Sequence, residues 1–372
     1  MFKNSRVTLL FVLPILCSCS SIDAVVPEVE YRGPEHTRAY LEAFVEAPGG
    51  PPSISLAVAV GGEIVVAEAV GWADIAAQVA ATPETAYRTY SVSKGITAVA
   101  VMQAVEADLL DLDADIRQFV PAFPEKPWPV RLRHLLTHTS GIRHYKKNAG
   151  EISSTVEYPS LAASLVVFGD DPLEFEPGTA YRYTSFGFNL LTGALEAVHG
   201  AGFDEILQRD VFGPAAMSRS SLALVGRSGD GLAKAYWPPR AGSHREIDEL
   251  PNVSGKYGSS GVVATPSDLV RLFLALEEGR LLRPANRERM LTVADPTVAA
   301  SQALGWNLVE EKGRRVVYRS GAGTGYTGLV EYFPDLGIAG AVLINQNQYP
   351  GRVEILEGAL DYFAERATSV DP

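Results

Sequence analysis

The sequence predicts an α+β fold in which strands from both ends of the chain share one antiparallel sheet, flanked by helices, with a mostly helical region inserted between them. Three observations predict it. Near the start, "SISLAVAV" and "EIVVAEAVGW" are β-branched runs on either side of Gly61-Gly62, a hairpin signature. Near the end, apolar runs at Leu304–Val309, Arg315–Arg319, Thr327–Phe333 and 338–345 are broken by turn residues, "PDLG" at 334–337 among them. Between them, residues 91–280 carry apolar stretches of helical length separated by long loops.

Taken in order, the chain opens with "MFKNSRVTLLFVLPILCSCSSIDA". Lys3 and Arg6 precede an apolar run from Val7 to Leu16 that is too short for a bilayer anchor, so residues 1–18 read as an export signal. "LCSC" at 16–19 resembles the bacterial lipobox, which implies a mature N-terminus at a diacylated Cys19 and a place on the periplasmic face of a bacterial membrane. A plainly cleaved signal, leaving a soluble periplasmic or secreted protein, is the alternative. Residues 19–34, with Pro27, Gly33 and Pro34, read as a tether, and 35–368 as the folded domain. Its sheet portion is assigned to 35–90 and 300–368.

Cys17 and Cys19 are the only cysteines, so the domain has no thiol for a disulfide, a zinc site or a nucleophile. The chain holds 32 basic and 44 acidic residues, a net charge of −12. Losing the leader removes Lys3 and Arg6 and no acid. An acidic surface of this kind excludes nucleic acid as a partner. No internal repeat is visible, and nothing in the surface pattern specifies a homo-oligomer.

Within the domain, "EHTRAYLEAFVE" (35–46) puts Tyr40, Leu41, Phe44 and Val45 on one helical face and is stopped by "PGGPP". Ser93–Leu109 is apolar on nearly every side, the mark of a buried helix. "TPSD" (265–268) is a helix start with Thr265 as cap and Pro266 in the first turn. A last helix is predicted over Val353–Glu365. Residues 225–255, rich in Gly, Pro and charge, read as a loop insertion over a cleft.

"YSVSKGITAV" (90–99) sets two serines beside one lysine at the head of the buried helix. Ser91 and Lys94, three apart, share a face, whereas Ser93 points about 200° away from Ser91. A lysine leaning into a buried helix end must find a partner or surrender its proton. The string alone serves equally as a polar cap with a lysine snorkelling to solvent. His134 and His138 have a metal-ligand spacing, but no glutamate follows His134, and no metal or cofactor is assigned. "YGSSG" (257–261) lacks the spacing of a nucleophile elbow.

Two further segments follow Ser91-x-x-Lys94 in order: "RYTSFGFN" (182–189) ahead of an apolar helix, and "VVYRSGAGTGYTGLV" (316–330) with a Ser-Gly pair after a strand. Together the three resemble the motifs of the serine β-lactamase and penicillin-binding protein superfamily. "LRHLLTHTSGIRHY" (132–145) and "PGTAYRYTSFGFNLL" (177–191) look most like the mitochondrial serine β-lactamase-like protein and its bacterial relatives, near the class C enzymes and D-alanyl-D-alanine carboxypeptidases. The resemblance covers roughly residues 36–367 and implies the β-lactamase/transpeptidase-like fold.

It also implies Ser91 as nucleophile, Lys94 and Tyr183 as its general base and acid, and backbone N–H groups of Ser91 and Ala322 as an oxyanion hole. "RSG" (319–321) stands where the family has Lys-Thr-Gly or His-x-Gly. Arginine keeps the charge and suits a carboxylate, so Arg319, Ser320, Gly321 and Ala322 are assigned to substrate binding. Ser185 stands where many relatives carry asparagine and is assigned there too. His138 to Gly141 are expected to brace a turn, with His144 and Tyr145 at the rim of the cleft.

The function implied is hydrolysis of amide or ester bonds in peptides or peptidoglycan-like substrates of the cell envelope. A promiscuous esterase or class C-like β-lactamase, and a non-catalytic envelope binding protein, are the alternatives. No Ser-Asp-Asn is present, which rules out the class A route of deacylation.

Overall fold

In this computed structural model, residues 24–146, 148–224 and 231–368 are described. The predicted signal and Cys19 lie outside them. The first helix, α1 (Thr37–Glu46), buries Tyr40, Leu41 and Phe44 and ends before the predicted stop. Strands β1 (Ser53–Val60) and β2 (Glu63–Asp74) then pair antiparallel through Gly61-Gly62. Both glycines have positive φ, 59° and 90°, the conformation a two-residue hairpin turn demands. A short β3 (Val79–Ala80) borders β2.

After the helical region come β4 (Asn307–Glu311), β5 (Arg314–Gly323), β6 (Tyr326–Phe333) and β7 (Ile338–Ile344). The seven strands form one sheet in the order β3-β2-β1-β7-β6-β5-β4. β1 and β7 join the two ends of the chain, with Leu56 opposite Val342. The predicted two-ended antiparallel sheet is therefore the one observed.

Strand alternation divides the core. On one face Leu56, Val58 and Val342 pack with Leu41 and Phe44, and with Leu356 and Leu360 of the C-terminal helix α5 (Arg352–Thr368). The other face is built of small residues, Ala57, Ala59, Ala69, Ala339 and Ala341. These let α4 (Pro266–Glu277) lie against β1 and β7. Thr265 caps α4 through the Asp268 N–H, as "TPSD" predicts. The inserted region is centred on α2 (Ser93–Glu106) and α3 (Phe186–His199), each buried along most of its length.

Three expectations need correction. Residues 24–34 are not a free tether: Tyr31 is buried, its ring edge-on to Tyr40 and Tyr362 and its hydroxyl on Thr37. Val25 N–H also bonds Pro48 O, so the described domain begins by residue 24. The strand predicted from Leu304 starts at Asn307, because Gly305 turns at φ 81° and sends Trp306 into the core against Phe273. Within 225–255, Tyr236–Arg240 and Ser243–Glu246 form a hairpin whose Tyr236 N–H bonds Asn345 O near the end of the sheet, rather than an irregular loop.

A small three-stranded sheet prepares the site. Tyr87–Arg88 and Ser221–Leu222 flank Val262–Ala264. This pairing lays the chain entering residue 91 beside the chain leaving residue 259, with Thr89 N–H on Val262 O.

Candidate active site

Ser91 lies in a 3-10 turn, Tyr90–Val92, immediately before α2. Tyr90 is left-handed at φ 45°, a strained conformation for a residue with a Cβ. Its hydroxyl donates to Thr324 O, which ties the turn to the end of β5. Tight 3-10 geometry brings residues three apart into line, so Lys94 in the first turn of α2 faces Ser91. Ser93 is fully buried elsewhere, accepting Val262 N–H and paired with Thr89 Oγ1.

The serine, the lysine and the tyrosine meet. Ser91 Oγ is 2.7 Å from the Tyr183 hydroxyl, and Lys94 Nζ donates to Ser91 Oγ at 3.2 Å. Lys94 has no exposed surface, and its other bond goes to Ser259 O at 2.9 Å. Burial lowers its ammonium to about 8, helped by the Arg319 charge and opposed by Tyr183. For Tyr183, burial pushes the phenol up, but the charges of Lys94 and Arg319 and its hydrogen bonds outweigh that and bring it down to about 8. The pair therefore shares its proton chemistry, and neither group titrates alone.

Tyr183 is held by the "HTSGIR" loop. Arg182 N–H bonds His138 O, Thr184 N–H reaches His138 Nδ1, and Thr184 Oγ1 donates to Arg143 O. The His138 and His144 rings lie 4.5 and 5.2 Å from the Tyr183 ring. Burial, with the charges of Arg319 and Lys94, holds His138 well below its ordinary value. Burial and Lys94 bring His144 down to about 3. Both imidazoles are neutral near pH 7.

Arg319 lies on β5 beside Ser91 and Tyr183. It is 2% exposed, with Nε on Ser91 O at 3.3 Å and an Nη 3.1 Å from His138 Nε2. Its guanidinium lies 5.6 Å from the Tyr183 ring. A side chain so enclosed supplies a fixed positive charge beside Tyr183. Ser320 Oγ donates to Gly328 O, and Ala322 is half-buried beside it on β5. Gly321 abuts the Tyr90–Val92 turn: a Cβ there would lie 3.0 Å from Ser91 N. The backbones of residues 91 and 321–322 are thus side by side. Ser185 is buried at the head of α3, its N–H on His144 Nδ1.

One partner escaped the sequence, the Ser259 carbonyl that holds Lys94. It belongs to "YGSSG", whose spacing is not that of a nucleophile elbow, and a main-chain acceptor leaves no residue signature. His134 Nδ1 accepts its own helix's Arg131 N–H, and no cluster of metal-ligating residues occurs among the described residues.

The family model described as Beta-lactamase matches residues 38–362. The chain belongs to the beta-lactamase family. It is 28% identical over 227 residues to the mitochondrial serine beta-lactamase-like protein LACTB of Homo sapiens, covering 43% of this chain and 42% of that protein. It is 31% identical over 263 residues to a D-aminopeptidase of Gluconobacter oxydans, covering 68% and 48%. The chain spans about half the length of these curated relatives or less. Among solved structures, the octameric penicillin-binding protein homologue of Pyrococcus abyssi superposes with a TM-score of 0.77 at 26% identity, over 88% of this chain and 77% of that one. The D-amino acid amidase of Ochrobactrum anthropi shares the fold at TM-score 0.73 and 20% identity, over 90% and 97%.

Proposed function

We propose that this beta-lactamase-family chain is a serine hydrolase cleaving amide bonds of peptides through an acyl intermediate on Ser91. The observation that carries this reading is Ser91 Oγ within hydrogen-bond reach of both Lys94 Nζ and the Tyr183 hydroxyl, two groups brought close to neutral pH. The Lys94/Tyr183 pair takes the proton of Ser91 Oγ as that oxygen bonds to the amide carbon. The carbonyl electron pair moves onto oxygen, toward the N–H groups of Ser91 and Ala322. On collapse the C–N bond breaks and the pair returns the proton to the leaving amine. Water then repeats the sequence on the ester, releasing the acid and free Ser91. The D-aminopeptidase relative supports peptides or peptidoglycan-like stems with D-residues as the substrate class.

Incubation with a fluorophosphonate and a labelled penicillin, followed by intact mass, tests this. One fluorophosphonate adduct is expected on the parent and none on Ser91→Ala. No adduct with either reagent on the parent would sink the reading. A penicillin adduct would extend it toward penicillin recognition.

A lipoprotein reading of the leader supports a cell-envelope location for this chemistry, with Cys19 as the lipid attachment. The parent is then expected in the detergent phase and Cys19→Ser in the aqueous phase. Equal detergent partitioning of the two would remove the lipid.

A further inference from the structure

Lys94 has a partner that takes no part in the proposed bond-making, the Ser259 carbonyl at 2.9 Å. A neutral amine carries two N–H groups and one lone pair, and the lone pair must face the Ser91 hydroxyl to take its proton. Giving one N–H to a fixed acceptor stops the amine turning about its last bond. Where that carbonyl sits therefore sets where the lone pair points.

The carbonyl belongs to the helical turn Tyr257–Ser260, which lies against both α2 and α3. Gly258 permits the close approach: a Cβ there would lie 2.1 Å from Thr192 Oγ1 and 2.6 Å from Phe188 O. The segment is pinned on either side of the turn. Asn189 Nδ2 donates to Gly255 O at 2.6 Å, and Val262 N–H donates to Ser93 Oγ at 3.0 Å. Between those pins, the Thr97 hydroxyl donates to Gly258 O at 2.7 Å. A hydroxyl has one proton, and Thr97 Oγ1 also lies 3.0 Å from Ser93 O of its own helix, so the shorter contact takes the larger share. Thr97 stands three residues after Lys94, one turn along the same face of α2. The helix thus grips two consecutive carbonyls, Gly258 with Thr97 and Ser259 with Lys94. Thr97, Lys94 and Ser259 have no exposed surface, so a bond lost among them is not replaced by solvent.

We propose that Thr97 is a positioning residue of the active site, whose hydroxyl fixes the Gly258–Ser259 peptide so that the Ser259 carbonyl aims Lys94 at Ser91. The inference rests on Lys94 as a base for Ser91. Without the hydroxyl the buried Gly258 carbonyl is unpaired, and the middle of the turn draws back between its pinned ends, taking the Ser259 carbonyl with it. The amine then loses its fixed direction. Its ammonium also loses an acceptor, so Lys94 surrenders its proton at lower pH. The other groups facing Lys94, namely Tyr183 and Arg319 with the neutral His138 and His144, stay in place.

Fluorophosphonate labelling of Ser91, resolved into kinact and KI from pH 5.5 to 9.5, tests this. Thr97→Val is expected to lower kinact about 10-fold, within the roughly 10²-fold that a misplacement of about 1 Å costs. KI stays near the parent's, and the acidic limb moves to lower pH. Thr97→Ser, which keeps the hydroxyl, restores both kinact and the limb. Val99→Ala truncates a buried side chain about 200° round α2 from Thr97 and is the control for stability. It lowers the melting temperature and keeps the parent's kinact and limb. The proposal is overturned by a Thr97→Val protein that labels like the parent while Lys94→Met labels slowly, or by a Thr97→Ser protein as slow as Thr97→Val. It is equally overturned if Val99→Ala loses as much kinact as Thr97→Val, because the loss then follows stability. A parent that never labels, or a Lys94→Met protein that labels as fast as the parent, overturns the reading of Ser91 or of Lys94, and this inference with it.

Discussion

Tyr183→Phe is expected to lower kcat by about 10³-fold, inside the range of roughly 10² to 10⁴ that a positioned acid or base supplies, and to move the acidic limb of the pH profile downward. On the proposed mechanism the parent reacts from the state in which the Lys94/Tyr183 pair has lost one proton. With both groups at about 8, activity is low in acid and rises with pH toward that value. The phenol has two effects on the lysine. It relays the proton, and its negative form holds the ammonium up against burial and the Arg319 charge, which both push it down. Removing the phenol leaves the two depressing influences unopposed, so Lys94 gives up its proton below pH 8. The residual activity of Tyr183→Phe should therefore reach its plateau at lower pH than the parent. Measuring kcat from pH 5.5 to 9.5 for both proteins decides the matter. A variant with a limb still at about 8 would reduce Tyr183 to a packing role, because a ring that only fills space does not move its neighbour's titration.

The sheet was legible in the sequence because its signals are local. The Gly61-Gly62 hairpin, the "PDLG" turn and the all-round apolar Ser93 helix each follow from a few neighbouring residues. What was not legible depended on distant contacts. Tyr31 sits in a Pro-containing stretch, and contacts with Tyr40, Tyr362 and Phe363, the last two more than three hundred residues away, bring it into the core. Ser91 and Lys94 were legible as a spacing, whereas Tyr183 became a candidate through family resemblance. For Arg319 the sequence reports the charge and not the enclosure: its partner His138 is 181 residues distant. The acceptor for Lys94 is a backbone carbonyl, which any residue supplies, so no substitution pattern within one sequence marks Ser259. Site chemistry was thus readable where side-chain type determined it, and hidden where burial or main-chain geometry did.

Gly321→Ala is expected to cost about 10²-fold or more in kcat, the scale of losing one oxyanion donor, with KM changed far less. An added Cβ would sit 2.0 Å from Thr89 O, 3.0 Å from Ser91 N and 3.1 Å from Thr89 C. These are main-chain atoms, which cannot swing aside as a flexible side chain does. Either β5 retreats or the 90–92 turn does, and the N–H groups of Ser91 and Ala322 then separate. β5 is paired at Gly321 with Gly328 on β6, and up to Tyr318 with β4 as well. The turn is the softer element, already strained at Tyr90 and held there by the Thr324 carbonyl. Most of the shift thus falls on Ser91 itself. Overpacking of this kind costs about 1–3 kcal/mol of stability, small beside the kinetic loss, so a folded but slow enzyme is the expected product. Ser320→Ala is the control one residue away: it removes a 3.3 Å hydroxyl contact to Gly328 O and adds no atom. Circular dichroism melts with kcat and KM for both variants separate the outcomes. If Gly321→Ala kept the parent's kcat, residues 91 and 322 would not act as a fixed pair of donors, and the oxyanion would have to be met elsewhere.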